Sequence, residues 1–162
     1  MCGFIGFVSD VNDNNNTIYQ DKLSIYLEKL KNRGPDFSQQ LKFNYKNKII
    51  HIGFARLAIQ DLKSTSNKIF FNDNYAILFN GEIYNCKEIK KEFLNEEKFE
   101  TSTDTELLFK LLQKYGTSIV KKLKGIFSIV FINLKIGKIF CIRDVTGTKP
   151  LYFLKKETSF FF

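Results

Sequence analysis

The spacing of apolar positions along the chain switches between a period of two and a period of about 3.6, and the switches mark its elements. Residues 2–8 form a nearly unbroken apolar run that predicts a buried strand. The Asn-rich stretch 12–16 is a loop. Leu23, Leu27 and Leu30 then recur at helical spacing, predicting a helix over 21–31 that Gly34-Pro35 stops. Strands follow over 38–44 and 48–57, joined by a turn at Asn44-Tyr45-Lys46-Asn47. Residues 60–74 are polar and irregular, a surface loop, and 75–79 make a short strand that ends at Asn80-Gly81. A helix is expected over 85–95. The next is marked by Thr103-Asp104-Thr105-Glu106, which has capping-box spacing, and by an apolar face of Leu107, Leu108, Leu111, Leu112 and Tyr115. Past Gly116 a short helix leads to Gly125, and successive strands follow over 126–132, 138–142 and 151–154. Phe160-Phe161-Phe162 reads as part of another strand, so the chain is expected to be a fragment or trimmed at its C-terminal end. Helices inserted among hairpin-joined strands predict two antiparallel sheets with helices packed outside them.

Composition narrows the function classes. With 162 residues, 44% of them hydrophobic and 15% aromatic, the chain reads as one globular domain able to bury a core. A net charge of +8 raises the question of a nucleic-acid partner. The lysines are scattered, however, as at Lys29, Lys31, Lys46, Lys48, Lys90 and Lys91, and no base-stacking motif accompanies them. The charge is read as a solvated surface, with no nucleic acid expected. No apolar run approaches the roughly 20 residues of a membrane span. The polar stretch 10–16 also interrupts any signal-peptide core, so no membrane association is expected. Three cysteines with no CxxC spacing point to a reducing, cytoplasmic setting, with Cys86 and Cys141 as packing residues. The single histidine, His51, excludes a His-rich metal site and reads as a satisfied strand histidine.

Candidate chemistry begins at Cys2. If Met1 is removed, a thiol and a free α-amine share one residue. Their ordinary pKa values lie near ~8.5 and ~8, so nucleophile and base can exchange a proton near neutral pH. An ordinary buried first strand is the bland alternative at this point. Five later segments bear on the choice: Arg33-Gly34-Pro35-Asp36; Gly53-Phe54-Ala55-Arg56-Leu57-Ala58-Ile59-Gln60-Asp61; Asn80-Gly81-Glu82-Ile83-Tyr84-Asn85; Ser102-Thr103-Asp104-Thr105-Glu106; and Arg143-Asp144-Val145-Thr146-Gly147-Thr148-Lys149-Pro150-Leu151-Tyr152. Singly they are weak. Asn80-Gly81 is a common turn, Asp104 a helix-start acid, and Arg33 with Asp36 a structural pair as readily as a functional one. In this order behind Cys2, they resemble the glutaminase domain of asparagine synthetases, class II glutamine amidotransferases with an N-terminal nucleophile. The resemblance spans residues 2–162.

That resemblance implies an α/β fold, a four-layer αββα sandwich of two antiparallel sheets of the N-terminal-nucleophile hydrolase type. It implies hydrolysis of L-glutamine to glutamate and ammonia through a Cys2 thioester, with Asn80 and Gly81 as the oxyanion hole. Arg56, Leu57, Ile59, Glu82 and Asp104 would bind the substrate, Arg56 its carboxylate and Asp104 its ammonium. Arg143, Asp144, Lys149 and Pro150 resemble a family loop and are read as structural. No cofactor is expected in this domain, and ATP and Mg²⁺ would belong to a synthetase domain or subunit elsewhere. A homodimer is left open. Asn32 and Phe54 stand where the family usually has histidine, Ser66-Asn67-Lys68-Ile69 replaces a Gly-x-Gln-Pro loop, and Thr146 replaces a phenylalanine. These departures are the best support for the alternative, a non-catalytic amidotransferase-like module that binds glutamine or a partner as a sensor or scaffold.

Overall fold

The computed structural model describes residues 2–13, 16–58, 66 and 68–162. In chain order the elements are β1 (Gly3–Asp10), α1 (Asn16–Leu30), β2 (Phe37–Tyr45), β3 (Lys48–Arg56), β4 (Phe70–Phe71), β5 (Tyr75–Ile83), α2 (Cys86–Phe93), α3 (Asp104–Tyr115), a 3₁₀ helix (Gly116–Lys122), β6 (Gly125–Asn133), β7 (Lys138–Arg143), β8 (Leu154–Lys155) and β9 (Phe160–Phe161). They fall into two compact units, one made of the segment through Leu57 together with Leu151–Phe162, the other of Ala58–Pro150. Each unit carries one antiparallel sheet with helical structure packed on it, as the alternation of periods predicts.

In the first unit the strand order is β2-β3-β1-β9-β8. β2 and β3 form a hairpin closed at Lys46-Asn47, with Lys46 in the left-handed region at φ 51°, where tight two-residue hairpin turns hold their residues. α1 sets Leu23, Leu27, Tyr19 and Leu30 against Phe7 and Ala55 of the sheet. The helix begins at Asn16, not at residue 21. Tyr19 lies one turn before Leu23 on the same face, and its ring packs 5.2 Å from Phe7 and 5.8 Å from Phe161, which ties down a first turn that looks polar in sequence. The strand expected over 151–154 shrinks to Leu154–Lys155, paired with Phe160 and Phe161. His51 stacks on Phe7 at 4.7 Å. Its buried Nε2 has no hydrogen-bond partner among the described residues, so it is held by packing and is not satisfied at that atom. Burial, then nearby Lys42, keeps its pKa below 6.5.

In the second unit the order is β4-β5-β6-β7. Leu107, Leu108, Leu111 and Leu112 of α3 pack on Ile77 and Phe79 of β5 and Ile129 and Phe131 of β6, with Ile89 of α2 alongside. β4 arises inside the stretch read as loop, because Phe70 is buried there and packs 6.2 Å from Phe109. β5 does not stop at residue 79. β6 offers a partner to every residue from Tyr75↔Asn133 to Ile83↔Gly125, so Asn80-Gly81 lies within a strand instead of a turn. At the start of α3, Thr103 accepts the Glu106 N–H at 3.3 Å, as the capping spacing predicts. The Glu106 carboxylate reaches past the cap, however, to the N–H groups of Glu100 (3.0 Å) and Thr101 (2.7 Å). No helix among the described residues is long and apolar enough to cross a membrane.

Candidate active site

Three of the expected site residues belong to the first unit. Gly3 pairs with Ala55, so Cys2 lies level with Arg56, and directly opposed residues of antiparallel strands face the same side. Cys2 is half-buried, with its Sγ 3.8 Å from the Leu57 carbonyl oxygen. The Arg56 side chain is only 7% exposed. Cys2, Arg56 and Leu57 are thus brought together where β1 begins and β3 ends. Arg33-Gly34-Pro35-Asp36 supports that end. The N–H groups of Arg33 and Gly34 close α1 on the Leu30 carbonyl (2.9 and 3.1 Å), and the Asp36 N–H donates to the Arg56 carbonyl (3.1 Å). A Cβ on Gly34 would sit 2.3 Å from the Ala55 carbonyl carbon and 2.6 Å from the Arg56 nitrogen, so only glycine lets the turn press against this backbone. Ile59 lies outside the described residues.

Asn80, Gly81, Glu82 and Asp104 belong to the second unit, and strand parity decides their arrangement. The Tyr84 N–H donates to Lys124 on the β6 side (2.7 Å), whereas the Ile83 N–H donates to Asp104 Oδ2 (3.2 Å). N–H groups of successive strand residues alternate in direction, so the Gly81 N–H points as that of Ile83 does, away from β6. On that side, among the described residues, β4 pairs only with Ala76 and Ile77. One edge of β5 therefore presents the Gly81 N–H and, about 7 Å along the strand, the Asp104 carboxylate. Asn80 is buried beside them and Glu82 is exposed. A Cβ on Gly81 would lie 2.1 Å from the Ile126 oxygen and 2.6 Å from the Phe127 Cα, so no larger residue fits.

Asp104 is a buried acid whose charge the unit disfavours. Burial pushes its pKa from 3.8 to about 6 and Glu82 adds to the push, against the lowering effect of the Ile83 and Thr105 N–H groups. Among the described residues no Lys or Arg forms an ion pair with it. An anion so placed is stabilised by an incoming cation. The other thiols are quiet. Cys86 donates to the Ile83 carbonyl at 3.0 Å, and burial followed by the charge of Asp104 pushes its pKa up to about 11. Burial also raises Cys141. Both stay protonated at neutral pH, as expected of packing residues.

Two residues were missed in the sequence reading. Glu106 fixes the loop that delivers Asp104, and its capping-box spacing was the available signal. Asn85 donates to the Lys122 carbonyl (3.0 Å) and accepts the Lys124 N–H (2.9 Å), which anchors the approach to β6. Its place in the Asn80–Asn85 motif gave no hint of that role.

The profile of the family described as glutamine amidotransferase domain matches residues 1–162. Over 178 residues the chain is 34% identical to a Methanocaldococcus jannaschii protein provisionally described as asparagine synthetase [glutamine-hydrolyzing] 2, covering all of this chain and 33% of that one. It is 30% identical to asparagine synthetase [glutamine-hydrolyzing] 3 of Bacillus subtilis, covering 100% and 26%, and 33% identical to asparagine synthetase [glutamine-hydrolyzing] 1 of Arabidopsis thaliana, covering 94% and 25%. The chain thus spans about a quarter to a third of the length of these relatives. The solved glutamine phosphoribosylpyrophosphate amidotransferase of B. subtilis superposes with a TM-score of 0.70 at 17% identity, covering 98% of this chain and 41% of that chain. That likeness shows the fold expected from the sequence. By the match over its whole length, the chain belongs to the glutamine amidotransferase domain family.

Proposed function

We propose that this chain hydrolyses the side-chain amide of L-glutamine through a thioester on Cys2. The observation that carries the reading is the β5 edge, where one N–H donor and one buried carboxylate lie about two residues apart. A tetrahedral oxyanion needs the first, and an α-ammonium suits the second. With Met1 removed, the Cys2 amine takes the thiol proton, and sulfur attacks the amide carbon. The oxyanion is held by the Gly81 N–H and the Asn80 side chain. The C–N bond breaks, and the proton leaves on ammonia. Water then attacks the thioester, restoring the thiol and freeing glutamate. Arg56 holds the substrate carboxylate and Asp104 and Glu82 its ammonium, and the resemblance adds Leu57 and Ile59 to the substrate-binding residues.

The ammonia is passed on to an ATP-dependent synthetase domain or subunit, with aspartate the default acceptor, and ATP and Mg²⁺ act there. Three free cysteines fit a reducing compartment, and we place the protein in the cytoplasm. The test measures glutamate and ammonia from glutamine, alongside intact mass to establish loss of Met1. Cys2→Ala should release neither product while still binding glutamine. Glutamine binding without turnover in the Met1-free wild type would replace this reading with that of a sensor module.

A further inference from the structure

The turn after β7 reaches back to the strand that faces Gly81. β6 and β7 pair up to Ser128↔Arg143, and the chain then leaves the sheet at Asp144. The ladder nevertheless continues for one more step. The Asp144 N–H donates to the Phe127 carbonyl at 2.8 Å, and its carboxylate takes the place of a backbone carbonyl by accepting the Phe127 N–H at 3.1 Å. The same carboxylate accepts N–H groups of Thr148 (2.9 Å) and Lys149 (3.0 Å) and the Thr146 hydroxyl (2.8 Å). Thr146, a departure from the family pattern, is therefore one of the donors that hold Asp144. Phe127 is the register partner of Gly81, and its Cα is among the atoms that leave no room for a side chain there.

We infer that Asp144 is a positioning residue for glutamine hydrolysis: by clamping Phe127 from one side it fixes Gly81 on the other, and so the direction of the Gly81 N–H. This rests on the proposed glutaminase reading. The clamp leaves the substrate-binding charges of Arg56 and Asp104 untouched. Its loss should therefore weaken the transition state more than the ground state.

The experiment compares wild type with Asp144→Asn and Thr146→Val, the milder change serving if the first does not fold. For Asp144→Asn the kcat for glutamine hydrolysis should fall roughly ten- to hundredfold while KM stays within about twofold. Affinity for the glutamine-derived γ-aldehyde, which adds the Cys2 thiol to give a tetrahedral adduct, should fall by the same factor, and affinity for glutamate should not change. Thr146→Val should lower kcat and aldehyde affinity in the same way by less, again with KM and glutamate affinity unchanged. Amide exchange at Phe127 should quicken, and the amide resonance of Gly81 should shift, in either variant. A drop in kcat with unchanged aldehyde affinity, a pure KM effect, or an unaltered Gly81 amide in a folded variant would overturn the inference. A Met1-free wild type that binds glutamine without turning it over would overturn the glutaminase reading instead, and the Gly81 amide would still decide whether the clamp exists.

Discussion

Asp104→Asn separates the stability of this protein from its use of substrate. The carboxylate ionises at about 6 in the folded chain against an ordinary 3.8, so its charged form is disfavoured by about 3 kcal/mol at neutral pH. Asparagine has nearly the same shape and keeps an oxygen to accept the Ile83 N–H, which now lies 3.2 Å from Oδ2. It carries no charge to desolvate. A folded pKa raised above the unfolded one means that the charge is cost-free below pH 3.8, where both states are protonated. The cost grows between pH 3.8 and 6 and is complete above 6. The variant should therefore be more stable than wild type by about 1–3 kcal/mol at pH 7.5, a Tm gain of roughly 2–10 °C for a chain of this size. The gain should shrink toward nothing at pH 4. Titration of His51, common to both proteins, cancels in the difference. At the same time KM for glutamine should rise about 30- to 1000-fold, the loss of a buried charge-assisted contact to the ammonium. Thermal melts from pH 4 to 8 paired with steady-state kinetics make the measurement. A gain in Tm that does not vary with pH, or a variant less stable than wild type at pH 7.5, would refute the argument.

In the wild type, KM for glutamine should climb as pH falls below 6, approaching tenfold per pH unit, because protonated Asp104 cannot pair with an ammonium; the Asn variant should lose this dependence in a pH series of initial rates. A glutamine-like diazo-ketone should label Cys2 once per chain, as read by peptide mass mapping, with glutamine slowing the reaction. Cys86, pushed to about 11, is a thiolate in only roughly one molecule in 3,000 at pH 7.5 and should stay unmodified. Asn85→Ala removes the bonds to Lys122 and Lys124 and should lower stability by about 1–3 kcal/mol in denaturant titrations while leaving KM unchanged.

Much of this protein could be read directly from its residues. The apolar run behind Cys2, the α3 stripe from Leu107 to Leu112 and the Thr103 cap are local patterns, and local chemistry suffices to predict a strand, a helix and a helix start. The ordered motifs likewise identified the family, since residue types at set spacings are a property of sequence. Tertiary structure decided what local signals cannot encode. Asn80-Gly81 has the composition of a turn, yet β6 holds it in a strand, and only that pairing aims the Gly81 N–H away from β6. Asp104 has the look of an ordinary helix-start acid, yet burial raises its pKa to about 6 against the lowering pull of the Ile83 N–H. The polar first turn of α1 is helical because Tyr19 meets Phe7 and Phe161, partners from opposite ends of the chain. In each case the deciding atoms are distant in sequence. A pattern of residues reports which groups are present, whereas desolvation, strand parity and ring contacts depend on which of those groups the fold sets side by side.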